Sequence, residues 1–312
     1  MSRTIRVAAA QLGPIHKADT RESVVERLIA LLREAHSAGC KLVVYPELAL
    51  TTFFPRYIYE TQDEIDAWFE RQMPNPATQP LFDEASRLGV GFHLGYAELT
   101  EEDSRVRHYN TAILVDPDGR MVGKYRKVHL PGHAEPRSNA PFQHLEKRYF
   151  DVGNLGFPVW RAFGGVMGMC ICNDRRWPET YRVMGLRGVE LIMLGYNTPT
   201  TNIDGFAEPL HLKQFHNHLV MQAGAYQNAC WVVAAAKAGS EDGHVLIGGS
   251  CIVAPTGEIV AKAHTEDDEV VSYSCDLALG DYLKESVFNF EKHRQIKAYE
   301  LITERAGAIP PK

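Results

Sequence analysis

The chain of 312 residues has no uncharged apolar run approaching the ~18 residues that a membrane span requires, so a transmembrane protein is not expected. It has no block of like charges of the kind that marks an interaction tail, and no low-complexity linker that would separate two domains. The apolar run Val7 to Ala10 is too short for a secretory h-region, and the reading is a cytoplasmic protein. CxxC pairs, an HExxH helix, a GxSxG elbow, GxGxxG and a phosphate loop are all missing, which removes the usual zinc, serine-hydrolase, dinucleotide and NTP signatures. His129 and His133 are four apart, but Leu130-Pro131-Gly132 between them cannot hold a helical ligand pair, so no metal is expected. The charge balance is 33 − 39 = −6, without the basic field that nucleic acid or an anionic membrane would need.

What is present is an ordinary globular composition, 45% hydrophobic, with six scattered cysteines that read as reduced, mostly buried thiols. Residues 3–10 read as a strand. A helix follows behind the Asp19-to-Glu22 capping-box pattern, with apolar positions at helical spacing up to Gly39. Strands are expected over 42–45 and 90–98, helices over 62–72 and from Thr78 to Gly89, and a hairpin at Asp116-Pro117-Asp118-Gly119. The second half repeats the plan, with strands near 157–163, 166–171, 190–196 and 231–236 and helices over 178–188 and 209–228. A hairpin follows whose sequence echoes the first. Each half reads β-α-β-α-β-β-β, and two such mixed sheets with internal pseudo-symmetry would stack into one four-layer α-β-β-α sandwich of α/β class spanning 1–312.

Three buried runs end in a reactive side chain: Val43-Val44-Tyr45-Pro46-Glu47, Lys124-Tyr125-Arg126-Lys127 and Met167-Gly168-Met169-Cys170-Ile171-Cys172. Ligands of α/β sheets bind beyond the carboxyl ends of strands, so a Glu, a Lys and a Cys there could converge. A thiol becomes a nucleophile when a base removes its proton, and an ammonium can donate to the oxyanion that forms on a carbonyl. Singly, Glu47 reads as a solvated acid and Lys127 as a surface lysine. On spacing alone either Cys170 or Cys172 could be the nucleophile.

The segments Tyr45-Pro46-Glu47-Leu48, Tyr125-Arg126-Lys127-Val128-His129-Leu130 and Gly168 to Asp174 resemble the Glu, Lys and Cys motifs of the nitrilase superfamily of carbon-nitrogen hydrolases. Across almost the whole chain the sequence is similar to the N-carbamoyl-D-amino acid amidohydrolases of that superfamily, most specifically over 46–55, 124–133, 141–150, 172–188 and 195–199. The resemblance implies the sandwich fold, homodimers or homotetramers with a contact extension near 290–312, and no cofactor. It makes Glu47 the general base, Lys127 the oxyanion donor, Cys172 the nucleophile and Glu146 a second acid that positions Lys127 or helps move protons. It also implies a pocket of Arg175 and Arg176 for a substrate carboxylate, with Asn173, His129, His144, Asn197 and Thr198 around it.

A cation near a helix N-terminus opposes the macrodipole, so the two arginines are poorly explained by helix stability. The expected reaction is hydrolysis of N-carbamoyl-D-amino acids to D-amino acid, carbon dioxide and ammonia through a cysteine thioester. The stretch 200–211 departs from the proline- and histidine-rich loop of these relatives. An amidase or β-ureidopropionase-like hydrolase of another small amide or ureido acid is therefore an alternative, as is a non-catalytic binding protein on the same scaffold.

Overall fold

The computed structural model describes residues 3–140, 142–201 and 208–311. The first half contains β1 (Thr4–Gln11), α1 (Arg21–Ser37), β2 (Leu42–Val44), α2 (Gln62–Asp66), α3 (Gln79–Leu88), β3 (Gly91–Glu102), β4 (Arg105–Val115) and β5 (Met121–Arg126). After α4 (Glu146–Tyr149) come β6 (Val159–Ala162), β7 (Gly165–Ile171), α5 (Pro178–Leu186), β8 (Leu191–Tyr196), α6 (Leu210–Asn228) and β9 (Trp231–Ala236). A small hairpin, β10 (Ala238–Glu241) and β11 (His244–Ile247), precedes β12 (Cys251–Val253), β13 (Ile259–Lys262) and β14 (Glu269–Asp276).

Two six-stranded sheets run β14-β1-β2-β3-β4-β5 and β6-β7-β8-β9-β12-β13. In each, three parallel strands are flanked by antiparallel neighbours, so β1-β2-β3 correspond to β7-β8-β9. The expected pseudo-symmetry is present, and the strand expected near 157–163 is β6, the antiparallel edge of the second sheet; the one correction is that the matching edge of the first sheet, β14, comes from the far end of the chain. Its Cys275 faces inward across from Ile5, a pairing that only the folded chain creates.

Alternation along the strands separates the layers. Val7, Ala9, Leu42, Val44, Ala112 and Leu114 pack between the sheets, whereas Ala8, Ala10, Val43, Phe92, Ile113 and Val115 pack beneath α1 and α3. Tyr181 and Met184 of α5, with Met221 and Ala225 of α6, cover the second sheet. This is the α-β-β-α sandwich.

Local chemistry corrects two helix expectations. Thr20, rather than Asp19, caps α1, accepting from Ser23 N, so no capping box forms there. The reciprocal box lies instead at Thr61 and Glu64, heading an α2 that stops at Asp66 rather than running to residue 72. No helix among the described residues is long and apolar enough to cross a membrane.

Candidate active site

The carboxyl ends of β2, β5, β7 and β8 meet at one end of the sandwich and bring Glu47, Lys127, Cys172 and Asn197 together. Glu47 follows β2 into the space between the sheets. That space exists because both facing strands carry glycine: a Cβ on Gly95 would lie 2.8 Å from Glu47 Cα, and one on Gly195 would lie 2.5 Å from Glu47 N. The wholly buried Glu47 carboxylate accepts from Asn110 Nδ2 at 2.8 Å and Asn197 N at 3.1 Å.

Lys127 Nζ bridges two carboxylates, at 2.6 Å from Glu47 Oε1 and 2.5 Å from Glu146 Oε2. Burial pushes the ammonium's pKa down, but Glu146 and Glu47 more than offset this and leave it above the ordinary lysine value. Glu146 opens α4, and its other oxygen meets His144 Nε2 at 2.9 Å. Burial raises the Glu146 pKa, but Lys127 and His144 hold it below the usual carboxylate range. The loop bearing Glu146 is docked on the loop after Glu47, with Leu145 N donating to Pro55 O at 2.8 Å over a core of Phe53, Phe54, Tyr149 and Phe150.

Cys172 follows β7 directly, at a left-handed φ of +47°, a conformation that L side chains adopt at a cost. Its Sγ donates to Asn197 O at 3.3 Å. Burial and the Glu47 carboxylate push the thiol's pKa up against the opposing Lys127 and Arg175, so the resting thiol is protonated. Asp174, which the sequence reading left without a role, secures this elbow. It accepts from Ile171 N, Tyr125 OH, His129 N and His129 Nδ1 at 2.7 to 3.0 Å, tying β5 and the 128–130 segment to the cysteine turn. An acid three residues after a strand end, at the start of a helical turn, was the available signal.

A cavity of about 350 Å³ opens over Cys172. Of the expected pocket residues, His144, Arg176, Asn197 and Thr198 line it. Arg175 does not: its guanidinium is buried and bonded to Cys172 O at 2.6 Å, Asn217 Oδ1 at 2.7 Å and Thr198 Oγ1 at 2.9 Å, and it stacks over Tyr196. This corrects the expectation of a paired arginine clamp, since Arg175 serves the backbone of the cysteine turn. Asn173 and His129 line a separate cavity of about 320 Å³ with Trp177, although Asn173 Oδ1 accepts from Arg176 Nη1 at 3.1 Å. Arg176 is exposed at the mouth, its pKa lowered to about 10 by the neighbouring Arg175 charge and by desolvation, and so still cationic at neutral pH. His133 and Arg137 also line the cavity and were not anticipated. Residues 202–207 of the divergent 200–211 stretch, and Pro141, lie outside the described residues.

The fold is similar to that of a carbon-nitrogen hydrolase from Helicobacter pylori, with TM-score 0.81 at 23% identity over 97% of this chain and 99% of that one. In sequence, the chain is 32% identical to a nitrilase from Pyrococcus abyssi, covering 88% of this chain and 91% of the relative. It is 30% identical to an N-carbamoylputrescine amidase from Solanum lycopersicum, over 88% and 87%. Residues 6–284, which carry all four converging strand ends, match the carbon-nitrogen hydrolase family, and the chain belongs to that family.

Proposed function

We propose that the protein hydrolyses N-carbamoyl amino acids, with Cys172 as nucleophile. The observation that carries this reading is a small cavity lined by the Cys172 thiol and a cationic Arg176, with that thiol in the field of a wholly buried Glu47–Lys127–Glu146 row. Glu47 takes the thiol proton, and Sγ attacks the ureido carbonyl carbon. An ammonium has three N–H donors. Two are held by Glu47 and Glu146, and the third is left for the oxyanion. Collapse expels ammonia, which carries off the proton returned by Glu47. The acyl-thioester is then cleaved by water that the same carboxylate deprotonates, and the carbamate released gives carbon dioxide and the amino acid. Glu146 and His144 keep Lys127 in place throughout.

Arg176 supplies the partner for the substrate's α-carboxylate, with Asn173 orienting it. Asn197 and Thr198 form the wall, Thr198 by anchoring Arg175. N-carbamoylputrescine, named in the tomato relative, carries an ammonium that this mouth would repel. The preference for the D enantiomer rests on the sequence resemblance. The test is ammonia release from N-carbamoyl-D-methionine, its L isomer, β-ureidopropionate, simple amides and a nitrile. Faster turnover of β-ureidopropionate, an amide or the nitrile than of either methionine derivative would replace this assignment, and faster turnover of the L isomer would overturn the enantiomer preference alone.

The protein is further proposed to act as a single domain in a homodimer or homotetramer. The 290–312 extension exposes Ile296, Leu301, Ile302 and Ile309, and α5 and α6 expose Leu186, Phe215 and Leu219. Sedimentation of the chain truncated after Asn289 tests that contact.

A further inference from the structure

Lys127 is held for the oxyanion partly by Glu146, and Glu146 sits on an element that cannot place itself. Helix α4 has four residues, too few for a helix to be stable alone, and no side chain caps it. Its location comes from the segment beside it. Gln143 N donates to Arg56 O at 3.3 Å, Leu145 N donates to Pro55 O at 2.8 Å, and the Phe53 ring meets the His144 ring edge-on with centroids 5.4 Å apart. His144 in turn meets Glu146 at 2.9 Å.

The 52–56 segment lies outside both sheets and contains only one turn of tight helix, Phe54–Arg56. A single carboxylate grips it. Glu241, the last residue of β10, is wholly buried, and its Oε1 accepts from Phe53 N at 2.7 Å, Arg56 Nη2 at 3.1 Å and Thr52 Oγ1 at 3.2 Å. Its main-chain O accepts from Arg56 Nη1 at 2.7 Å, so the guanidinium fork holds both ends of the residue. Oε2 accepts from Ile15 N and Lys237 Nζ, each at 3.1 Å, which ties the same carboxylate to the segments after β1 and β9. Glu241 bonds none of Glu47, Lys127, Glu146 and Cys172, and it does not line the cavity over Cys172. Three of its five side-chain donors nonetheless fall within the short segment on which the Glu146 loop docks.

We infer that Glu241 is a positioning residue for the proposed hydrolysis: it fixes the 52–56 segment, that segment fixes the Glu146 loop, and Glu146 then holds the Lys127 ammonium for the oxyanion. This rests on the roles proposed for Cys172, Lys127 and Glu146, and not on which carbamoyl acid or amide is the substrate.

The test is a double-mutant cycle of Glu241→Gln with Glu146→Gln, using N-carbamoyl-D-methionine or whichever compound of the substrate panel is turned over fastest. Ammonia release is followed in single turnover with folded enzyme in excess, so that slow variants remain measurable, and kcat and KM are measured for the wild type and Glu241→Gln. Glu241→Gln should lower kcat about 10- to 100-fold, the scale of a displacement of about 1 Å at the reacting groups. KM should barely change, because Arg176 keeps its bond to Asn173. In the Glu146→Gln background the same substitution should change the rate by less than about twofold. An unchanged kcat, a loss confined to KM, or an equal loss in both backgrounds overturns the inference. If Glu241→Gln does not fold, Arg56→Lys, which keeps the charge and gives up the fork, takes its place in the cycle under the same criteria. Wild-type activity in Glu146→Gln refutes the role proposed for Glu146 and this inference with it. The predicted coupling observed on a simple amide, with no carbamoyl acid turned over, keeps the inference and replaces the substrate.

Discussion

The Lys127 ammonium lies 2.6 Å from the Glu47 carboxylate, and neither side chain reaches solvent. With Glu146 at 2.5 Å on its other side, one cation holds two buried anions. Such a group is costly to desolvate and is stable only while complete. Its value lies in fixing a base and an oxyanion donor side by side before substrate arrives.

Removing Lys127 therefore affects more than turnover. Seen as a lone oxyanion donor it would be dispensable to the fold, but Lys127→Met strands two buried carboxylates. Turnover should fall on the order of 10²–10³. Stability should fall by about 3–5 kcal/mol in urea unfolding. Adding Glu146→Gln should recover part of that stability and none of the activity.

The strained cysteine separates function from stability. At φ +47°, glycine is favoured over alanine by about 1 kcal/mol, so Cys172→Gly should be more stable than Cys172→Ala by that margin, while neither releases ammonia. Thermal melts of the two variants measure the difference.

Asp174 supports the turn without facing the cavity over Cys172. Asp174→Ala leaves Ile171 N and Tyr125 OH, both buried, without their acceptor. The expected cost is about 2–4 kcal/mol of stability. The kinetic loss should fall on kcat with KM nearly unchanged, because the arginine at the mouth remains.

Acid should destabilise the protein partly through His93. This ring is fully buried on β3, with Nδ1 3.2 Å from Tyr45 O, and desolvation lowers its pKa to about 4. Between about 6.5 and 4 the unfolded chain holds a proton that the folded one refuses. This contribution to stability is present above pH 6.5 and is lost as the pH falls through that window, a change of about 3 kcal/mol. His93→Gln should flatten the acid limb of stability against pH, and an unchanged slope would refute this assignment.

The sequence was most legible where chemistry is local. β2, β5 and β7 end close to where their apolar runs stop, and their terminal Glu47, Lys127 and Cys172 do meet. Partnerships between distant segments were not legible. β14 closes the first sheet from more than 250 residues away from its partner β1, and nothing in its own pattern names that partner. Arg175 and Arg176 are adjacent and chemically identical, yet one turns inward to Asn217 and Thr198 and the other outward. That choice was set by α6 and the β8 end rather than by the motif. Gln143 likewise holds the backbone N–H and carbonyl of Arg137, a contact that its local sequence does not announce.

The most direct test of the account is to identify the residue that carries the acyl group. The enzyme is quenched with acid during turnover of an N-carbamoyl-D-amino acid isotopically labelled at the ureido carbonyl, digested, and mapped by mass spectrometry. The account predicts the label on the peptide containing Cys172, lost on further incubation with water before the quench and absent from Cys172→Ala. Label on another residue, or ammonia release by Cys172→Ala at the wild-type rate, would contradict it.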